Sequence, residues 1–269
     1  MSEPAPAPSI AFDRAAGYYD QSRGVPPRVE ELVADQVEAA AGPAARLLEV
    51  GVGTGRIALP LHRRGRAVVG VDLSLPMLER YRAKAAAEGL APPAVLRADA
   101  TRLPFRDACV DAVLEVHVLH LVPAWERALA EARRVLAPGG VVLVGRGGSH
   151  RGGHGPRMET LNRFDQLAAE LGGGPRRVGV DNDAQKVGYL TALGGAAAAL
   201  EPVVWRQEET YAQGLGFVEG RVYSFAWRMP DHVFATAAAR LRAEVEGAHP
   251  DLDAPHQVEH SFTLTAVRF

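Results

Sequence analysis

Cysteine is almost missing from this chain: Cys109 is the single one in 269 residues, so no intramolecular disulfide can form and no cysteine-based metal site can be assembled. Lysine is nearly as scarce. It occurs only at positions 84 and 186, so almost all positive charge is arginine, a bias that by itself marks no site. An excess of charge is missing too. The formal charge of -2 argues against a nucleic-acid partner, because non-specific affinity for phosphates rests on accumulated Lys and Arg, and it favours a small or apolar substrate over a polyanion. Nowhere is there an uninterrupted apolar run long enough to cross a bilayer, and the opening residues 1–9 have neither a basic nor an apolar targeting stretch. The expectation is a cytoplasmic protein without membrane insertion.

What is there is an ordinary globular composition, 47% hydrophobic and 23% charged, enough to bury a full core. Residues 1–9, rich in Pro, Ala and Ser, are expected to form a disordered tail, since they offer too little apolar surface to offset the entropy of ordering. From Arg28 to Ala41 the residues Val29, Leu32, Val33, Val37 and Ala40 recur at helical spacing, and Gly42-Pro43 ends the pattern. Short apolar runs then alternate with amphipathic stretches, as in a parallel sheet with crossover helices. The expected strands are Arg46–Val50, Ala67–Val71, Ala94–Ala98, Val110–Val116 and Val141–Gly145, nearly all apolar, as strands covered on both faces should be. Ser74 suits a helix cap, and Trp125, Ala128, Leu129, Ala132, Val135 and Leu136 form a buried stripe before the Pro138-Gly139-Gly140 turn. Beyond Gly145 the sequence predicts a Gly/Arg/His-rich loop over 146–157 and helices near Met158–Leu171 and Asp183–Leu200. Strands Val203–Tyr211 and Val258–Phe269 flank an aromatic-rich helical region.

The densest chemical signal is Leu47-Leu-Glu-Val-Gly-Val-Gly-Thr-Gly-Arg56, a strand that runs into a glycine turn and then a helix. Without Cβ atoms the backbone can turn sharply and present its N–H groups to a ligand at a helix N-terminus. The glycines stand at 51, 53 and 55, whereas the dinucleotide fingerprint needs the third one position later, where this chain has Arg56. Asp72 closes the second strand 21 positions after Gly51, where a carboxylate can accept hydrogen bonds from both hydroxyls of a ribose.

With Glu49 before the glycines, Val69-Gly-Val-Asp-Leu-Ser-Leu-Pro-Met-Leu78, Ala98-Asp-Ala-Thr-Arg-Leu-Pro-Phe105 and Arg133-Arg-Val-Leu-Ala-Pro-Gly-Gly140, the chain resembles the class I S-adenosylmethionine-dependent methyltransferases. The resemblance is closest to the subgroup of ubiquinone- and menaquinone-biosynthesis enzymes and covers residues 10–145. It implies S-adenosyl-L-methionine as cofactor, with Glu49 and Gly51 near its methionine part, Asp72 on the ribose, Asp99 and Ala100 at the adenine, and Leu73 and Met77 as adenine walls. Phe12 to Asp20 looks like the family's N-terminal lid, which brings Tyr19 to the cofactor, and Asp111 to Val122 like the strand facing the reactive centre, which brings Glu115 there. Taken alone, Met77 reads first as helix core, and Tyr18 and Tyr19 read equally well as packing residues.

Methyl transfer from a sulfonium is an in-line displacement governed by alignment, so no universal catalytic residue is expected. If the acceptor must lose a proton, His117 is the candidate base, though it reads equally well as a strand cap, while His120 reads as packing. Metal binding is not expected, since no third ligand accompanies these histidines and His150 and His154 fall in a glycine-rich flap. Tyr223 and Trp227 are candidate pocket aromatics and Phe225 a core residue, while Arg146, Arg151 and Arg157 read as solvated surface. The expected fold is a Rossmann-like, doubly wound α/β sheet of seven strands, mostly parallel with a C-terminal antiparallel pair, plus a helical substrate cover. Residues 10–269 would form a single domain, 10–145 binding the cofactor and 146–269 covering a small-molecule acceptor. Two rival readings are a non-catalytic S-adenosylmethionine-binding partner or sensor and a nicotinamide-dependent oxidoreductase.

Overall fold

The computed structural model describes residues 9–43, 45–148, 155–173 and 178–269. The expected disordered tail, Ser9 apart, lies outside the described residues, as do His150, Arg151 and His154. The chain forms two compact units: Met1–Gly147 with Val178–Val203 and Phe262–Phe269, and Gly148–Arg177 with Val204–Ser261.

In chain order the elements are α1 (Tyr19–Arg23), α2 (Pro27–Ala41), β1 (Leu47–Val50), α3 (Ala58–Arg63), β2 (Val68–Asp72), α4 (Leu75–Ala87), β3 (Ala94–Arg97), β4 (Val110–Val116), α5 (Trp125–Val135) and β5 (Leu136–Gly148). They continue with α6 (Pro156–Glu170), α7 (Asp183–Ala192), β6 (Ala196–Ala199), β7 (Val203–Glu209), α8 (Tyr211–Glu219), α9 (Asp231–Ala248) and β8 (His256–Arg268). The strand order is β3-β2-β1-β4-β5-β8-β6, with β7 paired to β8. The first five strands are parallel, and β6 runs antiparallel to β8.

In the first unit β1 is buried along its whole length, and β4 nearly so, which is why both read as continuous apolar runs. Leu48, Val113 and Val142 sit at the centre of the core, with Leu129 and Val135 of α5 packed against them. The Ser74 hydroxyl accepts the Met77 N–H at 3.3 Å and starts α4, as its residue type suggests. Pro138-Gly-Gly140 does not precede the fifth strand but lies within it. β5 begins at Leu136, and the pairing jumps from Val110 with Leu136 to Ala112 with Val141, so the turn survives as a bulge.

The sheet has eight strands, one more than the seven expected. The addition is β6, Ala196–Ala199, which falls inside the stretch read as helix to Leu200; α7 stops at Ala192. A run of alanines carries a helical propensity, and here pairing of Ala196 with Arg268 and Ala199 with Thr265 overrides it.

The second unit packs α6, α8 and α9 around Phe164, Leu167, Leu215, Phe234, Ala237 and Leu241. Thr210 and Gln213 form a reciprocal capping box at the start of α8. The aromatic-rich segment is one 3-10 turn, Ser224–Arg228, between helices. Tyr223 belongs to this core and stacks on Phe225 at 5.9 Å, while the Trp227 indole N–H donates to the Arg221 carbonyl at 2.7 Å. Arg157, expected in solvent, lies over the Phe217 ring at 4.4 Å.

Candidate active site

The strand order reverses between β1 and β4, and in open α/β sheets the crevice at such a reversal, beyond the carboxyl ends of the strands, receives ligands. Register places Val50 beside Val71 on one side and Glu115 on the other, so the ends of β1, β2 and β4 are level. The glycine turn leaves β1 there. Gly51 and Gly55 have φ of +72° and +77°, and an added Cβ would fall 2.5 Å from Val118 and 2.3 Å from the Tyr81 ring. Tyr81 is buried and Val118 partly buried against the core, so these positions demand glycine for conformation and for space.

Asp72 is tied to the turn from above. Its carboxylate accepts the Gly53 N–H at 2.9 Å through one oxygen and the Ser74 N–H at 2.8 Å through the other. Burial raises its pKa, and these backbone hydrogen bonds oppose the rise. Each carboxylate oxygen has a second acceptor direction, which suits a pair of vicinal hydroxyls.

Glu49, one residue before the end of β1, is 3% exposed, and burial is the main cause pushing its pKa up to about 8, against the pull of Arg56. Its Oε2 has no hydrogen-bond partner among the described residues. A buried acceptor without a donor is costly, so this atom marks a place for a donor or cation that the chain does not supply. The donor set fits S-adenosylmethionine: a buried acceptor for an ammonium, a carboxylate for ribose hydroxyls, and a glycine turn without side chains between them.

The remaining expected residues divide. Leu73 follows Asp72 and is half-buried. Asp99, after β3, accepts the Thr101 N–H and hydroxyl on one oxygen, both at 2.9 Å, and Ala100 is buried in the core. Met77 is 2% exposed and packs inside α4's buried face. Tyr19 is half-buried and meets Phe12 edge-on at 5.9 Å. Glu115 reaches the crevice edge, but its carboxylate is held by the Lys186 ammonium at 3.1 Å. His117 follows β4 with a left-handed φ of +55°, and its Nε2 lies 2.7 Å from the Gly147 carbonyl oxygen and 2.8 Å from the Gly147 nitrogen. Burial first, then Arg56 and Arg23, hold its pKa well below the ordinary value, so it is neutral. His120 is pushed down to about 4, mainly by burial.

Three residues at the site escaped the sequence reading. Asp20 accepts the Thr54 hydroxyl at 2.6 Å and pairs with Lys84 at 3.2 Å, fastening α1 to the glycine turn. Lys186, on α7, pairs in the same way with Glu115 of β4 at 3.1 Å. The two lysines of the chain thus both pair with carboxylates at the crevice, and their rarity was the one signal that singled them out. Arg146, read as solvated, is held by Asp183 at 3.0 Å and by Asp181. Among the described residues no group of three His, Cys, Asp or Glu is arranged to hold a metal ion, and no helix is long and apolar enough to cross a membrane.

Residues 48–144 match the family described as methyltransferase domain. The matched segment resembles a methyltransferase domain. The match begins in β1 and ends in β5, so it contains the glycine turn, Asp72, Asp99, Glu115 and His117, and it bears out the resemblance to the class I S-adenosylmethionine-dependent enzymes. Among curated proteins, phosphatidylethanolamine N-methyltransferase of Cereibacter sphaeroides is 41% identical over 122 residues, 45% of this chain and 60% of that one. Demethylmenaquinone methyltransferase of Thermus thermophilus is 46% identical over 101 residues, 37% of this chain and 46% of that one. The chain therefore spans about half the length of these relatives. The solved structure of the YcgJ protein from Bacillus subtilis superposes with a TM-score of 0.56 at 18% identity, over 88% of this chain and 97% of that one, which shows the shared fold.

Proposed function

We propose that the protein transfers a methyl group from S-adenosylmethionine to a small-molecule acceptor. The observation that carries this reading is the pairing, around one glycine turn within the matched segment, of a carboxylate pinned for hydroxyls with a buried orphan acceptor: Asp72 and Glu49. In this reading Glu49 and the N–H groups from Gly51 to Gly55 hold the methionine part. Asp72 holds the ribose, Leu73, Asp99 and Ala100 border the adenine with Met77 behind them, and Tyr19 borders the crevice. When bound, the cofactor supplies an electrophilic methyl on a good leaving group. The residues of the chain then have to align the acceptor and exclude water. His117 is the candidate base where the acceptor must lose a proton: it is unprotonated and so able to accept one, and the burial that keeps it so also makes it a weak base. Glu115 contributes through the shape of the strand end, its charge being met by Lys186.

Residues 146–269 are the proposed acceptor-covering half, so that residues 10–269 act as one cytoplasmic methyltransferase. A quinone-like or other small aromatic acceptor is the first class to screen, since one relative is named for demethylmenaquinone. Calorimetric titration with S-adenosylmethionine, S-adenosylhomocysteine, NAD and NADP tests the reading. Binding of the first two alone supports it, and binding of a nicotinamide nucleotide instead refutes it. The position needed for the dinucleotide glycine is filled by Arg56, 9% exposed, whose guanidinium donates to the Arg23 carbonyl at 3.1 Å. Cofactor binding with no labelled methyl reaching any acceptor in the screen would favour the sensor reading.

A further inference from the structure

The segment 178–192 lies beyond the matched methyltransferase domain, yet it grips the turn that follows β4 at three points. The Gly179 N–H donates to the His120 carbonyl at 3.2 Å and the Val180 N–H to the Leu119 carbonyl at 3.1 Å. The approach is so close that a Cβ on Gly179 would lie 2.0 Å from the Leu119 carbonyl oxygen. The third point is an ion pair inside the protein: Lys186, 4% exposed at its side chain, reaches both oxygens of Glu115, itself 3% exposed, at 3.3 and 3.1 Å. Glu115 in turn faces the Val118 and Leu119 N–H groups, each 3.4 Å from its Oε1. Asp183 approaches the same ammonium at 3.1 Å and binds Arg146, which also holds Asp181.

An ion pair this buried earns little net stability, because desolvation of both charges opposes their attraction, but removing one partner leaves the other stranded. What such a pair does well is fix geometry. The geometry fixed here is that of the turn 117–120, in which His117 holds a left-handed backbone with its ring against Gly147. We infer that Lys186 is a positioning residue of the methyl-transfer site: through Glu115 it sets the turn that presents His117, so that a segment outside the matched domain shapes the acceptor side of the crevice. This rests on the methyl-transfer reading for its purpose, though not for its geometry.

The test compares Lys186→Met and Glu115→Gln/Lys186→Met with the natural protein, each as the full chain. Two readouts are followed: the ring-nitrogen NMR signals of His117, and affinity for S-adenosylhomocysteine. Lys186→Met strands a carboxylate and should displace the His117 signals and weaken binding at least several-fold. The double variant keeps an amide oxygen for the Val118 and Leu119 N–H groups with no charge to strand, and should restore both readouts. Should Lys186→Met fail to fold, the double variant alone decides, since native His117 signals there support the inference. A folded Lys186→Met with unchanged His117 signals overturns it, as does a double variant no closer to native than the single one or also unfolded. If the natural protein does not bind S-adenosylhomocysteine, the methyl-transfer reading falls, while the His117 signals still report on Lys186.

Discussion

Binding of S-adenosylmethionine should release close to one proton near neutral pH, and the source is Glu49. Its pKa of about 8 in the cofactor-free protein has burial as its largest cause, and its Oε2 is unpartnered. At pH 7 a group with that pKa is about 90% protonated, and pairing with an ammonium that returned it toward its ordinary range would release about 0.8 to 0.9 proton. The same shift acts on stability. Folding raises this pKa, so the protonated form is the one the fold favours: its contribution is complete below the ordinary value of 4.5 and is lost as pH climbs to about 8. The loss has a ceiling of about 5 kcal/mol, 3.5 pH units at about 1.4 kcal/mol each. Calorimetry in phosphate and in Tris, whose ionisation heats differ widely, reads the proton directly as a buffer-dependent apparent enthalpy. Glu49→Gln should abolish that dependence, weaken binding by tenfold or more, and flatten the fall in cofactor-free stability between pH 5 and 8. Heats that superpose in the two buffers for the natural protein would remove Glu49 from the cofactor's charged end.

Asp72→Ala removes the acceptor of two backbone N–H groups and of the proposed ribose hydroxyls; at about 1.5–3 kcal/mol for hydrogen bonds to a charged group, cofactor affinity should fall by about 10- to 100-fold in the same calorimetric titration. Gly55→Ala forces a side chain into a left-handed turn against the Tyr81 ring and should cost about 2–4 kcal/mol, read by denaturant unfolding, where an unchanged midpoint would contradict the packing described. His117 is held neutral, so its ring signals should not titrate between pH 6 and 8; a midpoint near 6.5 would show an imidazole open to water. In the second unit Phe164, 1% exposed, packs against Phe234 with ring centroids 5.4 Å apart, and Phe164→Ala should destabilise by about 3–5 kcal/mol in chemical unfolding.

How much of this was legible in the sequence follows from the range over which each feature is built. β1, β2, β3 and β4 were readable to within about a residue because each is a short apolar run bounded by its own turn, and Ser74 announced α4 by residue type alone. β6 was not readable: four exposed alanines carry no strand signal, and only pairing with β8, seventy residues away in sequence, makes them extended. The same divide runs through the site. The glycine turn, Glu49 and Asp72 form a local unit of strand, turn and strand end, so sequence spacing names them. The turn after β4 is shaped from far away, by Lys186 reaching Glu115 across 71 positions and by Gly179 pressed on Leu119. The proposed cofactor turn is thus held by contiguous sequence, whereas the turn proposed to face the acceptor is assembled by long-range contacts from residues beyond the matched segment. That is why His117 could be named as a candidate from sequence while the residue that positions it could not, and why substitutions in 178–192 are where a change of acceptor preference is to be sought.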